Sequence, residues 1–256
     1  MIVGPAQQLA YVAADVARLA AAFVRESVGA AAAASTKSTP TDVVTHTDFE
    51  SERLIRHELM VRCPGSTIVG EEFDDLAGKN SVGWIVDPID GTVNFLYDLP
   101  VVSVSIAATI NGQVVAGAVA DILRGEVFDA TLGGGARRDG EAISASSVSE
   151  LGQSLVGTGF SYESTVRARQ ADRLVHLLPQ CRDIRCMGSA ALNLCWVGCG
   201  RLDAYFEKDL KPYDYAAGAL IAAEARAMVD LPERNGEQFT IAAAPAIYDQ
   251  LRGLVA

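Results

Sequence analysis

The segment WIVDPIDGTVNF, residues 84–95, constrains the fold of this chain more than any other part of its sequence. Its apolar start predicts a buried strand that carries Asp87 at its carboxyl end. Pro88 cannot donate a hydrogen bond to a β-ladder and is expected to end that strand. The following turn is expected to bring Asp90 back beside Asp87. Two carboxylates held close together repel each other unless a proton or a cation lies between them, so the spacing indicates a cation site.

The same segment offers further groups suited to a metal and an anion. The carbonyl oxygen of Ile89 is a third oxygen donor, and a site built only from oxygen ligands favours Mg²⁺ over zinc. Gly91 and Thr92 are expected to open a helix whose free backbone N–H groups would bind an anion beside the metal. The alternative is an ordinary turn, because Asp, Pro and Gly are the commonest turn residues.

Other acidic residues stand where predicted elements begin or end, which is where binding residues concentrate. Asp48 lies at a predicted helix start, and Asp214 precedes an alanine-rich helix. Glu71 and Glu72 follow an apolar strand. Each has a simpler explanation: an acid favoured by the helix dipole for Asp48, an N-cap for Asp214, and a solvated loop for the glutamates. The metal-site hypothesis therefore requires these acids to converge in the folded protein.

Charge and length limit the classes of function. The chain has 256 residues, of which 50% are hydrophobic, and a formal charge of −11. This length predicts a substantial core. The negative charge argues against non-specific binding to nucleic acid or to an anionic membrane, because both need clustered lysine and arginine. It would also repel a phosphate ester, so a cation is expected to bridge an anionic substrate to the carboxylates.

The expected location of the protein is the cytoplasm. No apolar run approaches the ~20 residues needed to cross a bilayer. The apolar segment 9–24 carries Asp15 and Arg18, which a secretory signal would not contain. The five cysteines form an odd set without a C-x-x-C pair. They are expected to be reduced, largely buried and without a catalytic role.

Residue periodicity divides the chain into two halves that are expected to form a single domain. In residues 1–150 the patterns predict a helix over 9–24, a mobile loop over 30–40, a helix beginning at a Thr-x-x-Glu capping box at 47–50, and an antiparallel meander from residue 67 onward. In residues 151–256 strands and helices alternate, which is typical of an α/β arrangement. The first half would carry the main acidic cluster and the second would contribute Asp214.

Six motifs together identify a resemblance that spans most of the chain. They are VTHTD at 44–48, GEE at 70–72, the opening segment at 84–95, GSAA at 188–191, DAYFE at 203–207 and DYAAG at 214–218. With these motifs in this order, the chain resembles the inositol monophosphatase family, Mg²⁺-dependent and typically lithium-sensitive sugar phosphatases. The resemblance is closest to bacterial members. It implies a layered αβαβα fold, with an antiparallel sheet in the first half and a mixed α/β second half.

The resemblance also implies roles for individual residues. Glu71, Asp87 and the Ile89 carbonyl would hold one Mg²⁺, and Asp87, Asp90 and Asp214 would hold a second. A third, weaker ion is expected near Glu71, which is counted among the catalytic residues. The resemblance further implies that the N–H groups of Gly91 and Thr92 contact the phosphate. The Thr92 hydroxyl would pair with Asp48 to activate water. Substrate contacts would come from Asp90, Ser189, Ala190 and Glu207, and Lys37 would lie on a mobile loop.

The function implied by the resemblance is hydrolysis of myo-inositol 1-phosphate or a similar polyol monophosphate, by a homodimer. Phosphatases for histidinol phosphate, fructose 1,6-bisphosphate or adenosine 3',5'-bisphosphate remain alternatives on the same fold. A non-catalytic regulatory role is a second alternative, because some bacterial relatives associate with the transcription machinery.

The chain departs from the family pattern at two places. Tyr213 stands before Asp214 where the family usually has Trp, which retains an aromatic side chain. Arg226 and Ala227 replace a usual Gly-Gly pair. If either position requires a positive φ, the replacement is expected to strain the turn there.

Overall fold

The computed structural model describes residues 4–29, 33–36, 43–231, 233–234 and 237–255, so the expected loop residue Lys37 lies outside the described residues. The α-helices within these ranges are α1 Pro5–Arg25, α2 His46–Arg62, α3 Thr92–Leu96, α4 Ser164–Leu177, α5 Ala190–Gly198, α6 Pro212–Glu224 and α7 Tyr248–Val255. The strands are β1 Ala33–Thr36, β2 Val43–Thr45, β3 Thr67–Gly70, β4 Val82–Asp90, β5 Ser103–Ile110, β6 Gln113–Asp121, β7 Val127–Thr131, β8 Gly135–Arg138, β9 Glu141–Ala142, β10 Leu155–Thr158, β11 Asp183–Cys186, β12 Ala204–Lys208, β13 Met228–Asp230, β14 Glu233–Arg234 and β15 Glu237–Ala243.

These elements form five layers, which confirms the predicted αβαβα fold. A seven-stranded sheet in the order β3-β4-β5-β6-β7-β8-β9 has α1 and α2 on one face and α5 and α6 on the other. Helices α5 and α6 also cover a second, six-stranded sheet, whose opposite side is covered by α7, with α4 packed against α7. The boundary between the sheets lies between Ala142 and Leu155. Organisation as a single domain stays a prediction.

Helix α1 shows why the outer layer forms. Its buried residues recur at the three- and four-residue spacing of an amphipathic helix, as predicted, and pack against β5 and β6. Many of them are alanines, which let the helix approach the sheet closely. Among the described residues, no helix combines the length and apolarity needed to cross a bilayer.

The antiparallel meander was predicted to begin with the strand at residue 67, but antiparallel pairing in this sheet begins one strand later, at β4. Strand β3 pairs with β4 in parallel, whereas all later pairings in this sheet are antiparallel. The reason is an extra reversal of the chain: Leu76 forms an antiparallel bridge to Ile68 in β3 before the chain enters β4. Two reversals restore the original direction, so β3 and β4 run the same way.

Three local predictions also need correction. Strand β4 continues through Pro88 to Asp90, because a bulge between Asp87 and Asp90 removes the need for a proline N–H. Helix α2 begins at His46 with Thr45 as N-cap, so the capping box starts two residues before the predicted one. Part of the expected mobile loop, residues 33–36, pairs with β2.

The five cysteines are free thiols, as expected, but burial was predicted too broadly. Only Cys195 is buried, and Cys186 is exposed because it ends the edge strand β11.

The Arg226 substitution falls where the fold prefers glycine. Helix α6 ends in a Schellman motif, in which Ala227 N–H donates to Ala222 and Arg226 N–H donates to Ala223. This motif places its next-to-last residue in the left-handed region, and Arg226 has a φ of 70°. The other described non-glycine residues with positive φ are Asp or Asn, which tolerate it better. The predicted strain at this turn is therefore confirmed.

We expect Arg226→Gly to stabilise the protein by roughly 0.5–1 kcal/mol, because relief of left-handed strain (about 1–2 kcal/mol) exceeds the extra chain entropy of glycine (about 0.5–1 kcal/mol). Urea unfolding would measure the gain. Arg226→Ala is the matched control, since it removes the same exposed side chain but keeps a Cβ. Equal stabilisation by both variants would contradict the strain argument.

Candidate active site

A cavity of about 360 Å³ gathers most of the residues predicted to form the site. Those on its wall are Glu71, Asp87, Ile89, Asp90, Gly91, Thr92, Ala190, Glu207 and Asp214. They come from the β3–β4 connection, the end of β4, the start of α3 and α5, strand β12 and the first turn of α6. A cavity of about 430 Å³ elsewhere, beside α1, contains none of them. Glu71, Asp87, Asp90 and Asp214 therefore converge on one cavity, whereas Asp48, Glu72 and Ser189 do not line it.

The bulged end of β4 supplies the central pair of acids. Asp87 and Asp90 are both buried, and the Ile89 N–H donates to the Asp87 carboxylate over 3.0 Å. This local bond bends the backbone after Pro88. The segment thus has both a local bend, as expected for Asp, Pro and Gly in a turn, and residues that line the cavity.

Asp90 connects this segment to the second half of the chain. Its carboxylate accepts the Ser189 hydroxyl, the Ser103 hydroxyl at 3.2 Å, and the N–H groups of Ala190 at 3.2 Å and Ala191 at 2.8 Å. Burial nevertheless raises the pKa of Asp90, although these hydrogen bonds oppose the shift. Ser189 was predicted to face the substrate. In the structure Ser189 is buried, serves as N-cap of α5 and donates a hydrogen bond to Asp90, and its contact with a substrate stays a prediction.

Gly91 forms the sharp corner between β4 and α3. Its φ is 100°, and a Cβ there would lie 2.9 Å from the Val101 carbonyl oxygen and 3.0 Å from that of Gly188. Glycine is therefore required both for the backbone angle and for the close approach. Helix α3 begins at the next residue, Thr92, as predicted.

Asp48 and Thr92 are in direct contact. The Thr92 hydroxyl lies 3.1 Å from Asp48 Oδ1 and 3.1 Å from the Ile89 carbonyl oxygen. The Asp48 side chain also accepts the backbone N–H of Thr45, at 2.9 Å, and its hydroxyl. Asp48 is fully buried. It thus lies in the first turn of α2, where the helix dipole favours an acid as the simpler explanation held, and also contacts Thr92 on the cavity wall.

Asp214 enters the cavity from the second half of the chain. It is the third residue of α6, and its carboxylate accepts the Lys211 N–H at 2.6 Å. Burial raises the pKa of Asp214 well above its usual range, and the nearby charges of Asp90, Glu71 and Glu207 add to the shift. The ionised form is therefore costly without a cation.

Glu207 lies on β12 and lines the cavity. Its carboxylate accepts the hydroxyl of buried Tyr205, and a Cβ at Gly159 would lie only 2.0 Å from Glu207 Oε2. Burial raises the pKa of Glu207 to about 7, although the Tyr205 hydrogen bond opposes the shift. Cys186, for which no role was predicted, also lines the cavity. Its position at the end of an edge strand was not visible in the cysteine spacing.

The donor chemistry of the cavity suits a hard divalent cation. Five carboxylate residues line it, and four of them, Glu71, Asp87, Asp90 and Asp214, are predicted ligands together with the Ile89 carbonyl. The predicted ligands include no thiolate or imidazole, and oxygen-only sets suit Mg²⁺. Within the described ranges, no three His, Cys, Asp or Glu side chains already stand close enough to hold one ion. Burial raises the pKa of Asp90 and Asp214, and a bound cation would compensate for this by stabilising the ionised carboxylates.

Clustered acids can hold a divalent cation, and the backbone N–H groups at a helix start can bind an anion such as phosphate. Residues 6–254 match the sequence model of the inositol monophosphatase family, and the chain belongs to that family. This membership supports a phosphatase of a generally metal-dependent type.

Individual relatives agree with this assignment. An inositol-1-monophosphatase from Mycobacterium leprae is 47% identical over 96% of this chain and 92% of its own length. The solved structure of Mycobacterium tuberculosis SuhB superposes with a TM-score of 0.82 and 43% identity, covering 96% of this chain and 94% of that one. A Nus factor SuhB from Escherichia coli is 39% identical over 73% of this chain and 71% of its own.

We expect Asp214→Asn to raise the melting temperature of the metal-free protein at pH 8. The folded-state pKa of Asp214 is raised, so its ionised form destabilises the fold above that pKa, and asparagine removes this cost while still accepting the Lys211 N–H. Each kcal/mol relieved is worth about 2–4 °C. Calorimetry of the exposed Asp172→Asn variant is the control. A lower melting temperature for Asp214→Asn alone would contradict the argument.

Proposed function

We propose that this protein is a Mg²⁺-dependent phosphomonoesterase that hydrolyses myo-inositol 1-phosphate or a similar polyol monophosphate. The observation that carries the proposal is the convergence of Glu71, Asp87, Asp90 and Asp214 on one cavity, next to the Asp48–Thr92 hydrogen bond. A homodimeric state and lithium sensitivity belong to the same proposal and come from the family resemblance. A cytoplasmic location is also proposed.

The acids divide into two sets of proposed ligands. Glu71, Asp87 and the Ile89 carbonyl would hold one ion, and Asp87, Asp90 and Asp214 a second, with a third near Glu71. When bound, Mg²⁺ supplies Lewis acidity that favours ionisation of water and neutralises phosphate oxygens.

Thr92 and Asp48 are proposed to bind the attacking water through one of its protons. The buried Asp48 carboxylate accepts a hydrogen bond from the Thr92 hydroxyl, which leaves the Thr92 oxygen lone pairs directed away from Asp48. That oxygen can then accept a hydrogen bond from water and orient it for in-line attack. The N–H groups of Gly91 and Thr92 would contact the phosphate.

The leaving group is proposed to be recognised by Glu207. A buried carboxylate on the cavity wall can accept hydrogen bonds from adjacent hydroxyl groups of a polyol, which a simple aryl group lacks. Histidinol phosphate, fructose 1,6-bisphosphate and adenosine 3',5'-bisphosphate are the competing substrates to compare.

We expect phosphate release from myo-inositol 1-phosphate to depend on Mg²⁺ and to fall by roughly 100-fold or more in Asp87→Asn, because changes one shell further from a metal already cost about 10–100-fold. A colorimetric assay of inorganic phosphate would measure both effects. The exposed Asp172→Asn variant should match the wild type. Absence of turnover by folded wild-type protein on every substrate named above would contradict the proposal.

We expect Glu207→Gln to raise KM for myo-inositol 1-phosphate by about 10-fold, which matches a hydrogen bond to a charged group of ~1.5 kcal/mol. In the wild type, KM should rise as pH falls from 8 to 6, because Glu207, with a pKa of about 7, becomes protonated and loses acceptor capacity. The variant should lack this component.

An aryl phosphate provides the internal control, since the metal and phosphate groups titrate equally with both substrates. Equal KM changes for polyol and aryl phosphates would show that Glu207 does not select the leaving group.

A regulatory function is the second candidate, and the name of the Escherichia coli relative, Nus factor SuhB, favours it. A pull-down from lysate with wild-type protein and with Asp87→Asn would separate the two roles. A partner retained by both proteins would indicate a function independent of catalysis.

A further inference from the structure

The inward face of α2 is polar at its start and apolar at its end. Asp48, Ser51 and Glu52 are fully buried there, followed by Ile55 and Leu59. Asp48 reaches Thr92, and the Ser51 hydroxyl donates to the Pro88 carbonyl at 3.2 Å. A buried glutamate on the same face needs a partner; no motif identified in the sequence includes Glu52.

The Glu52 carboxylate forms one ion pair and accepts a hydrogen bond from one backbone N–H group. Arg56 Nε donates to Glu52 Oε1 at 2.7 Å, and the backbone N–H of Glu72 donates to Glu52 Oε2 at 2.7 Å. The Glu52 side chain has no exposed surface, and that of Arg56 is 15% exposed. Glu72 directly follows the proposed ligand Glu71, so this bond fixes the backbone next to the ligand.

Arg56 holds the next residues of the same segment. Its two terminal nitrogens donate to the carbonyl oxygens of Phe73, at 3.1 Å, and Asp74, at 3.0 Å. The Phe73 ring also packs beside Phe49 and lies 5.6 Å from the Arg56 guanidinium carbon. The guanidinium thus binds the segment at several points, which a single lysine could not do.

The backbone before Glu71 is shaped to admit this ion pair. A Cβ at Gly70 would lie 2.1 Å from Glu52 Oε1 and 2.9 Å from Arg56 Nη2. Gly70 therefore lets the carboxylate and the guanidinium lie directly against the main chain. The pair therefore contacts residues on both sides of Glu71. Neither Glu52 nor Arg56 is among the residues that line the substrate cavity.

We propose that Glu52 and Arg56 are positioning residues that set the affinity of the Glu71 site for its divalent cation. This inference rests on the proposed function. Because the pair fixes residues 70–74 to α2, which also carries Asp48, it holds Glu71 and Asp48 in one rigid frame. Loss of the pair would let the ligand move and weaken metal binding, as outer-shell changes do.

The test compares Glu52→Gln and Arg56→Lys with the wild type by binding of Mn²⁺ alone, measured from the EPR signal of free Mn²⁺. We expect the dissociation constant and the half-saturating Mg²⁺ concentration for turnover to rise about 10–100-fold. At saturating Mg²⁺, kcat should return to within about threefold of the wild type. Arg62→Lys is the matched control, since Arg62 forms the same i,i+4 pair with Glu58 on α2, away from Glu71.

The outcomes separate the inference from the proposed function. Wild-type protein that neither binds Mn²⁺ nor shows Mg²⁺-dependent turnover would overturn both. An active wild type with folded variants that bind Mn²⁺ normally would overturn the inference alone. Arg56→Lys keeps the buried charge balanced, so it remains a test if Glu52→Gln does not fold. Lower stability or kcat with unchanged metal affinity would indicate a merely structural pair and would also overturn the inference.

Discussion

The burial of several carboxylates around one cavity is the constraint on which the rest of this structure depends. Asp90, Asp214 and Glu207 come from different elements, and burial raises the pKa of each. Such groups repel one another and lose hydration. The fold therefore surrounds them with donors: the Ser189 hydroxyl and the α5 N–H groups for Asp90, the Lys211 N–H for Asp214, and the Tyr205 hydroxyl for Glu207. Ionised carboxylates in such a site destabilise the metal-free protein and favour the binding of a cation.

Helix α2 unites the parts of the site that are far apart in sequence. One face of this helix contacts the start of α3 through Asp48, the aspartate segment through Ser51, and the Glu71 segment through Glu52. These are polar contacts inside a packed layer, so each has a defined geometry. The seven-stranded sheet supplies the rigid support, and the second half of the chain completes the cavity through Asp90, which accepts hydrogen bonds from α5.

Residue patterns predicted α1 and the main acids, whereas the layered fold was implied by the family resemblance. Apolar periodicity identified α1, and the pattern after Trp84 placed Asp87 at the carboxyl end of a strand with Asp90 beside it. Some of the wrong predictions were local, such as the start of the α2 capping box, and others concern long-range geometry. The extra reversal at Leu76 made β3 parallel to β4, and a bulge carried β4 through Pro88. Pairing partners and bulges depend on which strands meet, which periodicity alone does not contain.

By itself, the sequence determined where the acids lie relative to strands and helices and that oxygen donors dominate the site, and its resemblance to the family marked Arg226 as a replacement of glycine. Only the tertiary structure decided that Ser189 holds Asp90, that Cys186 reaches the cavity, and that Glu52 fixes the segment beside Glu71. The physical reason is that propensity and turn chemistry act over a few residues. Burial, hydrogen-bond partners and shifted pKa values arise only when segments far apart in the sequence are packed together.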